Sequence, residues 1–391
     1  MTDHNIYLDH GATTPVHPKV VELMLPYWTK YYGNPSSSHS FGRQAESALR
    51  SARESVADLL NASPGEIVFT ANGSASDNLA IRGVVRSSQL RGKRNHIIIS
   101  SIEHSAVKNT AVQLAEFNEC EVTILPVDQY GQIRPADLES AIQSNTILIS
   151  IMAANNEIGT LQPIEEIGRI AREHGILFHT DAIQAIATQN WDMARMPIDL
   201  LSIAPHKFYG PKGIGILYIR DGVQLEPVLT GGGQEENRRA GTENVAFAVG
   251  AAEALRLVLD EQSDLVEHYR LLTGKLIEGL TTALPHDCVL TGHPTQRLPH
   301  NASFAFRKVS GNDILMHLDL AGIAASSGSA CKTGDPKPSA TLEAIGLSPE
   351  WTKGGLRLTV GRQNNLADID YTLQTIPAII SRLQELDYAW D

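Results

Sequence analysis

Lys207 stands in the run His206-Lys207-Phe208-Tyr209-Gly210-Pro211, directly after the apolar stretch Leu200-Leu201-Ser202-Ile203-Ala204. That stretch reads as a buried strand, and open α/β sheets bind their ligands at the carboxyl ends of such strands. A lysine held there by a stiff Gly/Pro turn can present its amine to a carbonyl and form a Schiff base. Pyridoxal phosphate chemistry needs such a lysine, together with an acid facing the pyridine nitrogen that keeps the ring protonated as an electron sink. Asp181 meets the second need, because it closes the neighbouring strand-like unit Ile176-Leu177-Phe178-His179-Thr180.

Further strand ends add polar groups. Gln184, just beyond Asp181, could donate to the phenolic oxygen of the ring. Ile97–Ser100 leads to Glu103-His104, and an imidazole at that sheet edge can stack on the ring and exchange protons near neutral pH. A strand over Thr146–Met152 runs into Asn155-Asn156-Glu157-Ile158-Gly159, a tight polar turn able to offer an amide. Arg357, beside Leu358-Thr359-Val360, could grip a carboxylate with two parallel hydrogen bonds. Ile67–Thr70 feeds Ala71-Asn72-Gly73-Ser74, and the helix that follows would offer a phosphate its free N–H groups and favourable dipole. Gly231-Gly232-Gly233 and Arg239-Ala240-Gly241-Thr242 form a glycine-rich segment suited to close approach.

The three cysteines are too few and too scattered for a disulfide framework or a structural zinc site, and no metal is expected. Cys120 and Cys288 lie against strand-like segments and read as packing residues. Cys331 ends Ser326-Ser327-Gly328-Ser329-Ala330-Cys331, a run with little to bury, where a thiol would be accessible enough to react.

The elements that must position these groups alternate helix and strand through the first two thirds of the chain. Helices are expected over 41–60, with an apolar face through Phe41, Ala45, Ala48, Ala52, Val56 and Leu59, and over 78–85, 105–117 and 164–174. The βαβ pattern predicts a mostly parallel sheet with helices on both faces, filling a large domain over residues 15–258. Residues 1–14 and 259–391 are expected to form a smaller α+β domain. A long helical stretch from Val245 to Leu284 would bridge the two, and Pro377 would kink the last helix. At 391 residues with 42% apolar and 19% charged residues, the chain has the composition of an ordinary globular protein. Its net charge of −12 argues against nonspecific binding to nucleic acid or to an anionic membrane surface. No apolar run reaches the roughly 20 residues of a membrane span. The N-terminus lacks the basic and apolar regions of a signal peptide, so a cytoplasmic protein is expected.

Read together, the motifs resemble those of the NifS/IscS-type cysteine desulfurases of the class-V aminotransferase family. The likeness runs from Tyr7-Leu8-Asp9-His10-Gly11-Ala12-Thr13-Thr14-Pro15 to the C-terminus. It is carried by Gly33-Asn34-Pro35, Ser76-Asp77-Asn78, Glu103-His104, Asn155–Gly159, His206-Lys207, Arg239–Thr242 and Ser326–Cys331. The resemblance implies the type I fold of pyridoxal-phosphate-dependent aminotransferases and removal of sulfur from L-cysteine to give L-alanine. It assigns the Schiff-base lysine to Lys207, the partner of the pyridine nitrogen to Asp181, the phenolate contact to Gln184 and the stacking, proton-relaying imidazole to His104. Gly73 and Ser74 fall on the phosphate turn, His206 counts among the cofactor contacts, and Thr242 would reach the phosphate of a neighbouring subunit in a homodimer. Asn156 and Arg357 match the positions that hold the substrate carboxylate. Cys331 would carry the persulfide to an acceptor such as an iron–sulfur scaffold. Two departures stand out: Ser74 replaces a usual threonine, and Ala204 replaces a usual phosphate-binding serine. Selenocysteine lyase and a catalytically silent sulfur-transfer scaffold are the alternative readings.

Overall fold

The computed structural model describes residues 5–92, 95–327 and 338–387. Its strands are β1 (Ile6–Tyr7), β2 (Ile67–Thr70), β3 (His96–Ser100), β4 (Glu121–Leu125), β5 (Thr146–Ser150) and β6 (Leu177–Asp181). They continue with β7 (Leu200–Ile203), β8 (Gly215–Ile219), β9 (Cys288–Leu290), β10 (Asn301–Phe306), β11 (Ile323–Ala324) and β12 (Gly355–Thr359). Seven of them form one sheet in the order β2-β8-β7-β6-β5-β3-β4. Only β8 runs against the rest, so β2, β3, β5, β6 and β7 all end at the same edge.

Alternation along the strands explains why both faces of this sheet are covered. Ile97 and Ile99 point to one side and pack with Leu79, Val84 and Val85 of the helix Gly73–Leu90. Ile98 and Ile149 point to the other, where Phe178 and Ile203 meet Leu49, Val56, Ile167 and Leu255 from three further helices. Buried on both faces, the central strands have no need of polar alternation, which is why they read as continuous apolar runs.

A second, antiparallel sheet in the order β12-β10-β9 carries Arg357 opposite Ser303. β1 pairs in parallel with β11, and Asp9 bridges to Thr359, so residues 6–12 are tied to this later part of the chain.

Some elements differ from the sequence expectation. The helix expected from Asn78 begins at Gly73, because Asn72 caps it by accepting the N–H of Ala75 at 2.8 Å. The first long helix, Ser40–Leu59, turns Phe41 outward at 49% exposure and buries Gly42 and Leu49 instead. The bridging stretch is two helices, Val245–Asp260 and Gln262–Ala283, separated at Glu261. The last helix, Leu366–Asp387, runs through Pro377.

Candidate active site

The common sheet edge opens into a cavity of about 280 Å³. Gly73, Ser74, His104, Asn156, Asp181, Gln184, His206, Lys207 and Arg357 all line it. Thr242 does not line the cavity of its own chain and lies exposed. Cys331 falls outside the described residues.

Lys207 sits in a short 3₁₀ turn after β7, and its Nζ donates to the carbonyls of Gly11 and Ala12, both at 2.7 Å. Burial, aided by the Arg357 charge, pushes the amine down to about 8, against the pull of Asp9 and Asp181. A lysine in that range can supply a free amine near neutral pH. Asp181 closes β6, and its Oδ1 accepts the N–H of Ile183 at 2.9 Å. Burial raises its carboxyl above the ordinary range, while His104 and Lys207 pull it back. His104 caps the helix Ser105–Glu116 by accepting the N–H of Ala106 on Nδ1 at 3.2 Å, which leaves the proton of the neutral ring on Nε2. His206 meets Thr13 Oγ1 at 3.2 Å, and burial pushes it down to about 4, so it is neutral.

The far wall is built by Arg357. One of its terminal nitrogens donates to the carbonyl of Asn156 and the other to Asp9 Oδ1, each at 2.9 Å, while Nε is buried without a partner. Asn155 is a framework residue. It donates to the Ile102 carbonyl and accepts the N–H groups of Glu157 and Ile158, fixing the turn that presents Asn156.

These residues suit pyridoxal phosphate. Gly73 and Ser74 are the first residues of a helix, so their N–H groups lack intrahelical acceptors and are available to a phosphate. A Cβ on Gly73 would meet Ile183 Cδ1 at 2.3 Å, so a larger residue there would have to push the Ile183 side chain aside. Beside it, Ala204 is buried with no hydroxyl to offer. Gln184 Nε2 donates to the Gly11 carbonyl at 2.9 Å and stands on the cavity wall with Asp181.

Sequence reasoning missed several contributors. Gly11, Ala12 and Asp9 belong to the quoted Tyr7–Pro15 motif, and that motif was the available signal for them. Glu103 was passed over for its neighbour His104. It is buried, accepts the N–H of Met152 at 3.1 Å and a hydroxyl from Ser100, and burial pushes it up to about 8. Asp77 lies within the same cluster.

The aminotransferase class-V family model matches residues 6–372. A protein named cysteine desulfurase IscS from Methanosarcina thermophila is 48% identical over 381 residues, covering 97% of this chain and 93% of that one. Its namesake from Clostridium botulinum is 45% identical over 388 residues, covering 99% and 97%. Among solved structures, a NifS-like protein superposes with a TM-score of 0.90 at 35% identity, covering 97% of this chain and all of the other. A structure titled SspA in complex with cysteine gives a TM-score of 0.78 at 37% identity, covering 91% and 99%.

Proposed function

The chain belongs to the class-V aminotransferases, and from that premise we propose that it is a cysteine desulfurase working with pyridoxal 5′-phosphate. The observation that carries the reading is one cavity lined by both the depressed amine of Lys207 and the carboxyl of Asp181. When bound, the cofactor supplies an electron sink for the substrate Cα. Lys207, released from its carbonyl acceptors, takes the Cα proton and returns it to Cα after the sulfur has left. Asp181 holds the ring nitrogen's proton, and Gly73 and Ser74 hold the phosphate. Arg357 and Asn156 hold the substrate carboxylate. His104 moves the proton of the substrate thiol through Nε2. Cys331 thiolate then attacks the substrate sulfur. The Cβ–Sγ bond breaks with its electron pair going to carbon, which is protonated to give L-alanine, and Cys331 keeps the sulfur as a persulfide.

The same reading makes the protein a homodimer. Trp28, Tyr32 and Phe41 are exposed, with Tyr32 against Phe41 and Trp28 against Phe247, and Thr242 is exposed outside the cavity of its own chain. Such a patch on one protomer is what an obligate interface covers. We assign the protein to the cytoplasm, delivering sulfur to an acceptor protein such as an iron–sulfur scaffold. No described helix is long and apolar enough to cross a membrane. The test is the purified chain with L-cysteine, pyridoxal phosphate and a reducing thiol. Alanine and sulfide should appear one for one, and sulfide-free transamination products would point to an ordinary aminotransferase.

A further inference from the structure

Asp77 is fully buried in the helix behind the phosphate turn, and neither of its carboxyl oxygens has a hydrogen-bond partner. An oxygen of Asp77, an oxygen of Asp181 and a ring nitrogen of His104 all lie within 4.8 Å of one another. The groups that face Asp77 come from three elements. From β6 come Asp181 and His179, whose Nε2 lies 3.7 Å from Asp77 Oδ1. From the turn after β3 come His104 and Glu103, and from β7 comes Ser202. His179 cannot neutralise Asp77. Its two nitrogens are engaged by Ser150 at 2.8 Å and Ser202 at 3.0 Å, and burial pushes it down to about 3.

Two carboxyls this close and this dry cannot both be ionised. The proton goes to whichever has less to stabilise its charge. Asp181 accepts a backbone N–H and feels Lys207 and His104, whereas Asp77 makes no hydrogen bond and has beside it only the Ser202 hydroxyl, itself engaged with His179. We propose that Asp77 is a positioning residue that permanently holds the pair's proton, so that Asp181 stays the ionised partner. The inference rests on the reading of Asp181 as the partner of the ring nitrogen. An ionised Asp77 would drive the proton onto Asp181 and cancel the charge that the cationic ring needs.

The test is infrared difference spectroscopy of the full chain without cofactor at neutral pH, with aspartate carboxyls carbon-13 labelled to set them apart from Glu103. The stretch of a protonated carboxylic acid should vanish in Asp77→Asn and persist in Asp181→Asn. Loss of the band in Asp181→Asn alone, or no protonated aspartate at all, would overturn the proposal. Should Asp77→Asn not fold, the wild-type spectrum with and without label still decides whether an aspartate carries a proton, and Asp181→Asn decides which one. Equilibrium dialysis of pyridoxal phosphate separates the two readings. Asp77→Asn, a neutral isostere, should bind within about threefold of wild type, while Asp181→Asn should lose about tenfold or more, the worth of a charge-assisted hydrogen bond. Unchanged binding by Asp181→Asn would sink the ring-nitrogen assignment whatever the infrared band shows.

Discussion

Carboxyl groups removed from water are treated in opposite ways at two places in this molecule. Glu235 lies in the glycine-rich segment, its side chain fully buried, and takes both prongs of the Arg53 guanidinium at 2.7 and 2.9 Å. It also accepts the N–H of Phe69 at 3.0 Å, and the guanidinium lies over the Phe69 ring. Every oxygen is answered. At the cavity, Asp77 on the helix Gly73–Leu90 has no hydrogen-bond partner and Asp181 at the end of β6 has one backbone donor. Burying charge costs several kcal/mol unless it is paired. The anchor meets that cost within the fold, whereas at the cavity Asp77 avoids it by keeping a proton and Asp181 leaves it for a cofactor to meet. A satisfied buried carboxylate marks scaffold, and an unsatisfied one beside a cavity marks chemistry.

The sharpest way to break this contrast is to change one member on each side. Lys207→Ala should lower alanine formation from cysteine by at least about 10²-fold, and abolish the absorbance of lysine-linked cofactor, while leaving thermal stability of the apoprotein close to wild type. Arg53→Ala should do the reverse. It strands a buried carboxylate and should cost about 3–5 kcal/mol in denaturant unfolding, with activity per folded molecule retained. If Arg53→Ala unfolds no more easily than wild type, the anchor is not what holds the glycine-rich segment.

The pH dependence sharpens the same comparison on the cavity side. Burial and the nearby Asp181 raise the Asp77 carboxyl well above its ordinary range. Its contribution to stability is therefore complete below the ordinary carboxylate value and is lost as pH rises through the folded one. Asn carries no such loss. As pH rises above the ordinary carboxylate range, the stability of Asp77→Asn should rise relative to wild type, by up to about 1.4 kcal/mol per pH unit, until the folded-state carboxyl ionises. The smallest effect is expected at Ala204, where a serine would restore one donor beside the phosphate turn. Ala204→Ser should tighten cofactor binding by about 0.5–1.5 kcal/mol, read by dialysis. Unchanged affinity would mean that the helix N-terminus already satisfies the phosphate.

Much of the cavity was legible because its residues sit at the ends of apolar runs. Lys207, Asp181, His104, Asn156 and Gly73 each follow a strand that is buried on both faces, and that signal survives in a single sequence. The start of the helix at Gly73 was less visible, since Gly, Ser and Ala in sequence look like a turn until the Asn72 cap and the sheet beneath fix them. Asp77 was legible only as part of the Ser76-Asp77-Asn78 motif, and its burial was not. The helix Gly73–Leu90 buries Ser76, Asp77, Ser87 and Ser88 along with its apolar residues, so polarity there does not report which side faces solvent. The anchor was equally hidden, because Arg53 and Glu235 meet across 182 positions and the left-handed turn falls on Glu235, Glu236 and Asn237, not on glycine. Nor could spacing show that residues 9–12 fold back to receive Lys207.

The central claim is that sulfur leaves cysteine for one thiol of this chain, and mass spectrometry of the protein after exposure to L-cysteine tests it most directly. Cys120 and Cys288 are buried, and burial pushes both thiols up to about 12, leaving almost no thiolate near neutral pH. A single added sulfur is expected on Cys331, absent in Lys207→Ala and in Cys331→Ala. An adduct on Cys120 or Cys288 with Cys331 unmodified would contradict it.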